Sequence, residues 1–480
     1  MSILVIDVGT SGIRAAIVRP DATIEHVQYR ELLPTSPFAG MVEFDAEAMA
    51  AAALDVARAA LAEGGPVDAV GIANQRASTV VWDRATGKPV GPGIGWQDLR
   101  TVGECLVLRG EGLRLAPNLS ATKLVWLLDQ ADPQRERDLC FGTVDSWIAW
   151  TLSGGELHIT DHTNAALTGL HDVVGTKWEP SIVEKLNIPE SVLPRIVDSS
   201  GELGVASALP GAPVIAGMAG DQQALLVGQG CLTAGLAKIT FGTGGMLDLC
   251  TGTERPSFET RGSGGTFPIV AWARNGEVAW GVEAVMLAAG TNVEWLRDDL
   301  GIIATAAESH DVASGCDSAE GVVYVPALLG LGTPAWDYGA RGTLLGITRG
   351  TTRAHVVRAV LEGIAQRGAD LVEAAEHDSG LTIGSLRVDG GMSANPTFLQ
   401  ALANAVQRPI EVSPVLEATT LGAAFLAGLA RGTWASEAEV AAAWSPREVV
   451  DPAGTFDRDQ WLEARRRAGG WLSDLSSIDF

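Results

Sequence analysis

The chain has little positive charge for its size. It contains 34 lysine and arginine residues against 58 aspartate and glutamate residues, and its net charge is -24. Nucleic acid binding needs a basic stripe or patch, and the sequence shows none. This balance excludes nucleic acid as a partner more firmly than it excludes a nucleotide, because backbone N–H groups and one arginine can hold phosphates locally.

Targeting and membrane signals are also missing. The N-terminus lacks the basic start of a signal peptide and soon reaches an acidic residue, Asp7. No run of about 18 apolar residues is free of charge. The five cysteines are odd in number, scattered and without a CxxC pair, which indicates buried, reduced thiols. These features predict a cytoplasmic protein that does not bind a membrane.

Several familiar catalytic and nucleotide-binding motifs are absent. The sequence has no GxxxxGK[ST] phosphate loop, no GxSxG motif and no metal-ligand spacing among its seven histidines. GLGTPA at 330–335 formally matches a dinucleotide fingerprint, but Pro334 and Trp336 suit the start of a helix poorly. A turn between a strand and a loop is the better interpretation of this segment.

Two similar Gly–Thr turns are present, and each lies between two apolar runs. The first is IDVGTSGIRAAI at Ile6–Ile17, and four of its residues recur 233 positions later in ITFGTGGMLDLC at Ile239–Cys250. Apolar runs around a glycine turn predict a β-hairpin, and the constant offset indicates a duplicated domain. With 480 residues the chain is long enough for two domains. We place the boundary near residues 226–234, which gives domains 1–228 and 229–480.

Helical and strand patterns alternate around these turns, which predicts α/β architecture. Strands are predicted in VDAVGIANQ, APVIAGMAGDQ and LRVDGG. Helices are predicted for residues 44–63, where Asp45 is a candidate N-cap, and for a long segment that ends near Gly380. Two further helices are predicted within 395–406 and 418–432. The basic triplet 465–467 is interpreted as a solvated helix face.

The Gly–Thr turns are candidates for phosphate binding. Phosphate oxygens need several N–H donors directed at one point, and only a tight glycine turn lets the backbone approach so closely. Hydroxyls beside the turns, from Thr10, Ser11 and Thr243, add donors, and Asp7 could hold Mg²⁺ through water. One such turn alone is more often structural. Two copies that face each other favour phosphate binding.

Asp221 is the candidate general base. It follows the apolar strand PVIAGMA, at the strand end where α/β sheets open their crevices. Such a carboxylate can take the proton of a substrate hydroxyl as that oxygen attacks phosphorus. Aspartate is also a favoured helix N-cap. Spacing alone does not separate the two interpretations.

Taken together, the motifs resemble those of the FGGY carbohydrate kinases, and among them those of the glycerol kinases. The resemblance rests on the order and spacing of DVGTSGIRA, GIANQRASTVVWD, GWQDLRT, FGTVDSWIAWTLSGG, AGDQQALLVGQG, KITFGTGG and VDGGMSANPTFLQ. It implies two RNase H-like domains of the actin, Hsp70 and sugar-kinase superfamily, with ATP and acceptor bound in the cleft between them. Members of this family are often dimers or tetramers, and the resemblance implies one of these states.

The resemblance also implies roles for individual residues. Asp221 would be the catalytic base, and Asp7 and Asp221 would lie near Mg²⁺. The residues implied at the nucleotide are Thr10, Ser11, Arg14, Thr243, Gly290, Glu294, Gly391 and Asn395. The residues implied at the acceptor are Arg76, Ala77, Trp96, Asn118, Asp221 and Gln222.

The acceptor residues depart from the glycerol kinase pattern at two positions. Ala77 stands where those enzymes usually have glutamate, and Asn118 stands where they usually have tyrosine. The loss of a charged partner should weaken glycerol binding, because such hydrogen bonds contribute about 1.5–3 kcal/mol. The sequence therefore predicts an ATP-dependent kinase for a small polyol or sugar other than glycerol. The alternatives are glycerol kinase proper, an actin- or Hsp70-like ATPase, and a catalytically silent binding protein.

Overall fold

The computed structural model describes residues 1–172 and 176–478. The strands are β1 (Ile3–Val8), β2 (Gly12–Val18), β3 (Ile24–Glu31), β4 (Glu43–Phe44), β5 (Ala69–Asn74), β6 (Val80–Asp83), β7 (Gly93–Ile94), β8 (Leu139–Gly142), β9 (Ile159–Asp161), β10 (Arg195–Val197), β11 (Ser200–Val205), β12 (Val214–Gly220), β13 (Ala237–Phe241), β14 (Gly245–Gly252), β15 (Phe267–Arg274), β16 (Glu277–Met286), β17 (Val323–Val325), β18 (Thr343–Leu345), β19 (Leu386–Asp389), β20 (Ile410–Val412) and β21 (Glu448–Val450).

The helices complete the α/β architecture that the sequence predicts. They are α1 (Ala46–Gly64), α2 (Val102–Gly110), α3 (Ala121–Ala131), α4 (Val144–Leu152), α5 (His162–Ala165), α6 (Pro180–Lys185), α7 (Asp221–Gly228), α8 (Thr291–Glu294), α9 (Glu308–Ala313), α10 (Arg353–Ser379), α11 (Pro396–Val406), α12 (Ala418–Arg431), α13 (Glu437–Ala442), α14 (Arg458–Ala468) and α15 (Ser473–Ser476). Short 3₁₀ turns lie at Glu190–Val192 and Gly391–Ala394, and a π turn lies at Trp295–Asp299.

One long sheet contains the same five-stranded unit twice. Within the described residues its thirteen strands follow the order β21-β20-β19-β13-β14-β16-β15-β11-β12-β5-β1-β2-β3. In the first unit β2 is antiparallel to β1 and β3, while β5 and β12 run parallel to β1. In the second unit β14 is antiparallel to β13 and β16, while β19 and β20 run parallel to β13. The hairpins β1–β2 and β13–β14 occupy equivalent places, which confirms the predicted duplication.

Helix α12 packs the two halves together. It comes from the later half of the sequence, yet it packs on β12, β5, β11 and β1 of the first half. It crosses α7 so closely that a Cβ on Gly422 would lie 1.6 Å from the carbonyl oxygen of Ala224. A Cβ on Gly228 would likewise lie 1.9 Å from the carbonyl oxygen of Ala418. Helices α7 and α12 thus join the two halves close to the proposed boundary. The boundary near 226–234 stays a prediction.

The helices that the sequence predicts are confirmed, and their ends show why they form. The Asp45 carboxylate accepts a hydrogen bond from the backbone N–H of Ala48 at 2.9 Å and caps α1 as expected. Helix α10 ends at Gly380, whose φ of 71° lies in the left-handed region that glycine tolerates. These end signals are local, so periodicity and capping residues were enough to find both helices.

The basic triplet at the end of α14 is only partly the solvated face that was predicted. Arg466 and Arg467 are exposed and pair with Glu463. Arg465 is different: its Nη1 lies 2.9 Å from Oδ2 of the fully buried Asp370 on α10. The prediction is wrong for Arg465, because the neighbouring helix supplies a buried carboxylate that sequence patterns do not reveal.

The cysteines agree with the expectation of buried, reduced thiols. All five cysteines are free, and four are buried. Burial raises the pKa of the Cys140 and Cys231 thiols to about 12, which keeps them protonated and unreactive at neutral pH. Across residues 1–172 and 176–478, no helix combines the length and apolar character that crossing a membrane requires.

Candidate active site

The candidate residues of the first half lie at the carboxyl ends of three parallel strands. β1, β5 and β12 run side by side, and their last residues lie opposite one another. The first Gly–Thr turn follows β1, Arg76 follows β5, and Asp221 follows β12. Loops at this end of parallel strands form the crevice where α/β proteins bind ligands. The sheet therefore brings together residues that are far apart in the sequence.

The first Gly–Thr turn is tied to a candidate acceptor residue. A Cβ on Gly12 would lie 2.3 Å from the Tyr29 hydroxyl, so a side chain at this position would need Tyr29 to move. The Thr10 hydroxyl accepts a hydrogen bond from Nε1 of Trp96 at 3.3 Å, and Ser11 is exposed. The turn therefore presents two hydroxyls, and one of them touches the indole predicted to pack on the acceptor.

Two glycines of neighbouring loops, Gly290 and Gly390, pack on the second Gly–Thr turn. A Cβ on Gly290 would lie 2.6 Å from the carbonyl oxygen of Gly242, and a Cβ on Gly390 would lie 2.4 Å from that of Phe241. A side chain at position 290 or 390 would collide with the turn. The backbone can approach this closely only because both of these residues are glycine. Thr243 is exposed at the tip of the turn. The turn thus lies between the loop that carries Gly290 and the loop that precedes α11.

The side chain of Asn395 is occupied within the protein. Its Oδ1 accepts a hydrogen bond from the backbone N–H of Phe398 at 3.1 Å, and its Nδ2 donates to Oγ of Ser309 at 2.9 Å. Gly391 and Glu294 are exposed nearby on the 3₁₀ turn and on α8. Asn395 therefore shapes this loop as the N-cap of α11, while Gly391 leaves its backbone accessible.

Asp221 is not the N-cap of the helix that follows β12. The N-cap of α7 is Gly220, and Asp221 is the first residue of the helix. Asp221 Oδ1 accepts a hydrogen bond from the Gln222 N–H at 2.8 Å and lies 3.6 Å from Nε of Arg76. Burial raises the pKa of Asp221 above its usual range, and the charge of Arg76 opposes this shift. Since 32% of the side chain remains exposed, a substrate hydroxyl can reach a carboxylate whose raised pKa favours proton transfer.

Asp7 is a second carboxylate close enough to Asp221 to interact with it. Burial raises the pKa of Asp7 to about 7; Arg14 opposes this shift, and the charges of Asp221 and Glu417 add to it. Nη1 of Arg14 lies 3.7 Å from Asp7 Oδ2 and 2.5 Å from Glu417 Oε2. No group of three or more metal-binding side chains occurs in the part of the chain that is described. Mg²⁺ commonly binds one or two carboxylates and takes its other ligands from water and phosphate. The pair Asp7 and Asp221 fits this preference.

Arg76 connects the two halves of the molecule. Its Nη1 lies 2.7 Å from Oε2 of Glu283 on β16, and its Nη2 lies 3.7 Å from the sulfur of Met246 on β14. The guanidinium is only 11% exposed. Arg76 thus carries its charge next to Asp221 while a carboxylate from the other half holds its position.

The two positions that depart from the glycerol kinase pattern have different environments. Ala77 is buried with φ at +59°, and its carbonyl oxygen accepts a hydrogen bond from Oγ of Ser120 at 3.0 Å. Asn118 is exposed. Nζ of the buried Lys123 donates to the carbonyl oxygens of Trp96 and Asn118, at 3.1 and 3.3 Å. Lys123 therefore holds together two backbone segments that carry candidate acceptor residues.

Sequence reasoning missed four charged or apolar residues at this site, namely Glu283, Met246, Glu417 and Lys238. Each contacts a partner that a different strand or helix supplies. A usable signal exists for two of them, because Glu283 and Lys238 are charged residues within largely apolar strands. A buried charge needs a partner, but which partner it finds depends on the register of the sheet.

Comparison with known proteins decides the family. The model of the FGGY family of carbohydrate kinases, N-terminal domain, matches residues 2–228, and the model of its C-terminal domain matches residues 237–431. The chain belongs to the FGGY family of carbohydrate kinases. It is accordingly an ATP-dependent phosphotransferase that acts on an alcohol group.

Relatives of this FGGY kinase match it over nearly its whole length. A glycerol kinase of Deinococcus radiodurans is 41% identical and covers 98% of both chains. A glycerol kinase of Dechloromonas aromatica is 42% identical over the same shares of the two chains. A resemblance first seen in motifs therefore extends through both halves.

Solved structures confirm the two-domain α/β fold. The crystal structure of Plasmodium falciparum glycerol kinase with ADP has a TM-score of 0.90 at 28% identity, and the match covers 100% of this chain and 99% of that one. A xylulose kinase from Brucella ovis has a TM-score of 0.85 at 24% identity over the full length of both chains, which supports the fold alone. The predicted RNase H-like domains of a sugar kinase are thus confirmed.

Proposed function

We propose that this FGGY kinase phosphorylates a small polyol or sugar other than glycerol, with Asp221 as the general base. The observation that supports this proposal is the surroundings of Asp221. Its partly exposed carboxylate lies beside Arg76, and the residue after Arg76 is the buried Ala77 instead of an acid. The charged partner that Arg76 does have, Glu283, belongs to the other half of the molecule.

The mechanism follows from the positions of the charged groups. An acceptor hydroxyl that lies against Asp221 loses its proton to that carboxylate as its oxygen attacks the γ-phosphorus of ATP. The bond from the γ-phosphorus to the bridging oxygen breaks, and ADP leaves. Arg14 and the amides of the two Gly–Thr turns offset the charge on the phosphoryl oxygens. Mg²⁺, when bound, would be held through water by Asp7 and Asp221 and would neutralise phosphate charge.

Glycerol is the alternative acceptor, and the relatives named glycerol kinase favour it. The two departures weigh against it. At position 77 a methyl group replaces a carboxylate that would accept a hydrogen bond, and at position 118 an exposed amide replaces a phenol. A longer or branched acceptor can use the space that a glutamate side chain would occupy.

An ADP-release screen over C3 to C6 polyols, ketoses and aldoses tests the acceptor. We expect at least one C4 to C6 compound to give a kcat/KM about tenfold or more above that of glycerol, since the loss of one hydrogen bond to a charged group contributes about 1.5–3 kcal/mol. The double variant Ala77→Glu/Asn118→Tyr should shift this preference toward glycerol. Wild-type turnover of glycerol with a lower KM than any longer polyol would refute this interpretation of Ala77 and Asn118.

Magnesium dependence tests the proposed role of Asp7. In the Asp7→Asn variant we expect the Mg²⁺ concentration that gives the half-maximal rate to rise about 10–100-fold, a range typical for the loss of an outer-shell partner. Asp474→Asn, which changes an exposed aspartate of α15, is the control. The measurement is the initial rate against free Mg²⁺ at saturating ATP. Identical curves for the two variants would remove Asp7 from the metal site.

A further inference from the structure

Lys238 is a buried cation that lies between the acceptor residues and the nucleotide loop. Its side chain is 0% exposed on β13. Its Nζ lies 2.6 Å from Asp248 Oδ2, 2.6 Å from the Gln222 carboxamide oxygen and 3.1 Å from the Thr240 hydroxyl. The contacts with Gln222 and Thr240 are hydrogen bonds, and the contact with Asp248 is an ion pair.

On the acceptor side, Lys238 sets the orientation of Gln222. Because the carboxamide oxygen of Gln222 binds Nζ, its NH₂ group is the part that remains to meet an acceptor hydroxyl. The backbone N–H of Gln222 donates to Asp221 Oδ1 at 2.8 Å. Displacement of the Gln222 side chain would therefore disturb both a candidate acceptor contact and the residue next to the base.

On the nucleotide side, the same ammonium group reaches the loop that follows β19. Thr240 and Asp389 are register partners in the parallel pair β13–β19. Burial raises the pKa of Asp389, and the positive charge of Lys238 opposes this shift. Asp389 is buried and also accepts a hydrogen bond from Nε2 of Gln229 at 2.5 Å. It immediately precedes Gly390, which packs on the second Gly–Thr turn. A continuous polar path thus runs from Gln222 through Lys238 and Thr240 to this loop.

We propose that Lys238 is a positioning residue that couples acceptor binding at Gln222 to nucleotide binding at the loop after Asp389. This inference rests on the proposed function, since it takes Gln222 as an acceptor contact. An acceptor that orders Gln222 also orders Lys238, and Lys238 in turn holds Thr240 and Asp389 in the geometry that the nucleotide loop needs. Coupling of this kind is reciprocal and typically changes affinity about 5–150-fold.

The test uses two variants that separate the charge pair from the hydrogen bonds. Asp248→Asn removes the counter-charge of Lys238 but leaves its bonds to Gln222 and Thr240. The double variant Lys238→Met/Asp248→Asn removes both members of the ion pair together with those two bonds. The measured quantity is the ratio of the ADP dissociation constants without and with a saturating acceptor. The acceptor is the polyol or sugar with the highest kcat/KM in the screen above.

We expect the acceptor to tighten ADP binding about tenfold in the wild type and in Asp248→Asn, but less than about twofold in the double variant. The inference is overturned if the wild type shows no coupling, if the double variant retains it, or if Asp248→Asn loses it. If the protein phosphorylates no polyol or sugar, the proposed function itself is wrong. If it phosphorylates one but the variants do not show the expected ratios of ADP dissociation constants, only the inference about Lys238 is wrong.

Discussion

Replacement of Asp221 with asparagine is expected to lower kcat about 10²–10⁴-fold while leaving ADP affinity near its wild-type value. An amide cannot accept the proton of the acceptor hydroxyl, yet it keeps the size of the side chain. Asp221 also lies in the first half of the chain, whereas Gly290, Gly390 and the second Gly–Thr turn surround the candidate nucleotide site. The measurements are steady-state rates with the best acceptor and ADP titration in its absence.

Asp138→Asn is the matched control, because this aspartate is 69% exposed and pairs with Arg84 at the surface. It should keep the wild-type rate. Burial raises the pKa of Asp221, and the base acts in its deprotonated form. As the pH is lowered, the wild-type kcat/KM should therefore begin to fall at a higher pH than it would with an aspartate of ordinary pKa. Wild-type turnover by Asp221→Asn would remove this residue from the role of base.

Gly422→Ala is expected to destabilise the protein by about 3 kcal/mol, since overpacking of a tight contact costs about 1–3 kcal/mol or more. The new Cβ would lie 1.6 Å from the carbonyl oxygen of Ala224, so α7 and α12 would have to move apart. Because Asp221 is the first residue of α7, kcat should fall as well. The measurements are the midpoint of urea unfolding and the steady-state rate.

Gly103→Ala provides the control, because Gly103 lies within α2 and a Cβ there would meet nothing within 4 Å. This change should be neutral or stabilise by up to about 1 kcal/mol, as expected for glycine to alanine in a helix. Gly228→Ala tests the same crossing from α7, where the new Cβ would lie 1.9 Å from the Ala418 carbonyl oxygen. If Gly422→Ala and Gly228→Ala unfold at the same urea midpoint as Gly103→Ala, the close contact between α7 and α12 does not contribute to the stability of the protein.

Local signals were enough to find most of the architecture. Each Gly–Thr turn lies between two short apolar runs, so the hairpins β1–β2 and β13–β14 could be predicted and their common offset showed the duplication. The ends of α1 and α10 follow from Asp45 and Gly380. These features depend on residues within one turn or one hairpin, and physical rules about short segments apply to them directly.

The surroundings of Asp221 needed the tertiary structure. Its position after an apolar strand allows either a base or a helix cap, and only the fold shows that Gly220 is the cap and that Arg76 and Asp7 are neighbours. Asn395 shows the opposite case. A motif places it at the nucleotide, and the structure adds that its side chain caps α11 and binds Ser309.

The sequence alone was sufficient for the fold class, the duplication, the family resemblance and a short set of candidate residues, because these depend on local patterns and on motif order. Only the tertiary structure decided which polar and charged side chains contact each other. The pairs Arg76–Glu283, Arg14–Glu417 and Lys238–Gln222 join residues on different strands and helices. The register of the sheet and the crossing of α7 with α12 fix these distances, and neither is encoded within a single short segment.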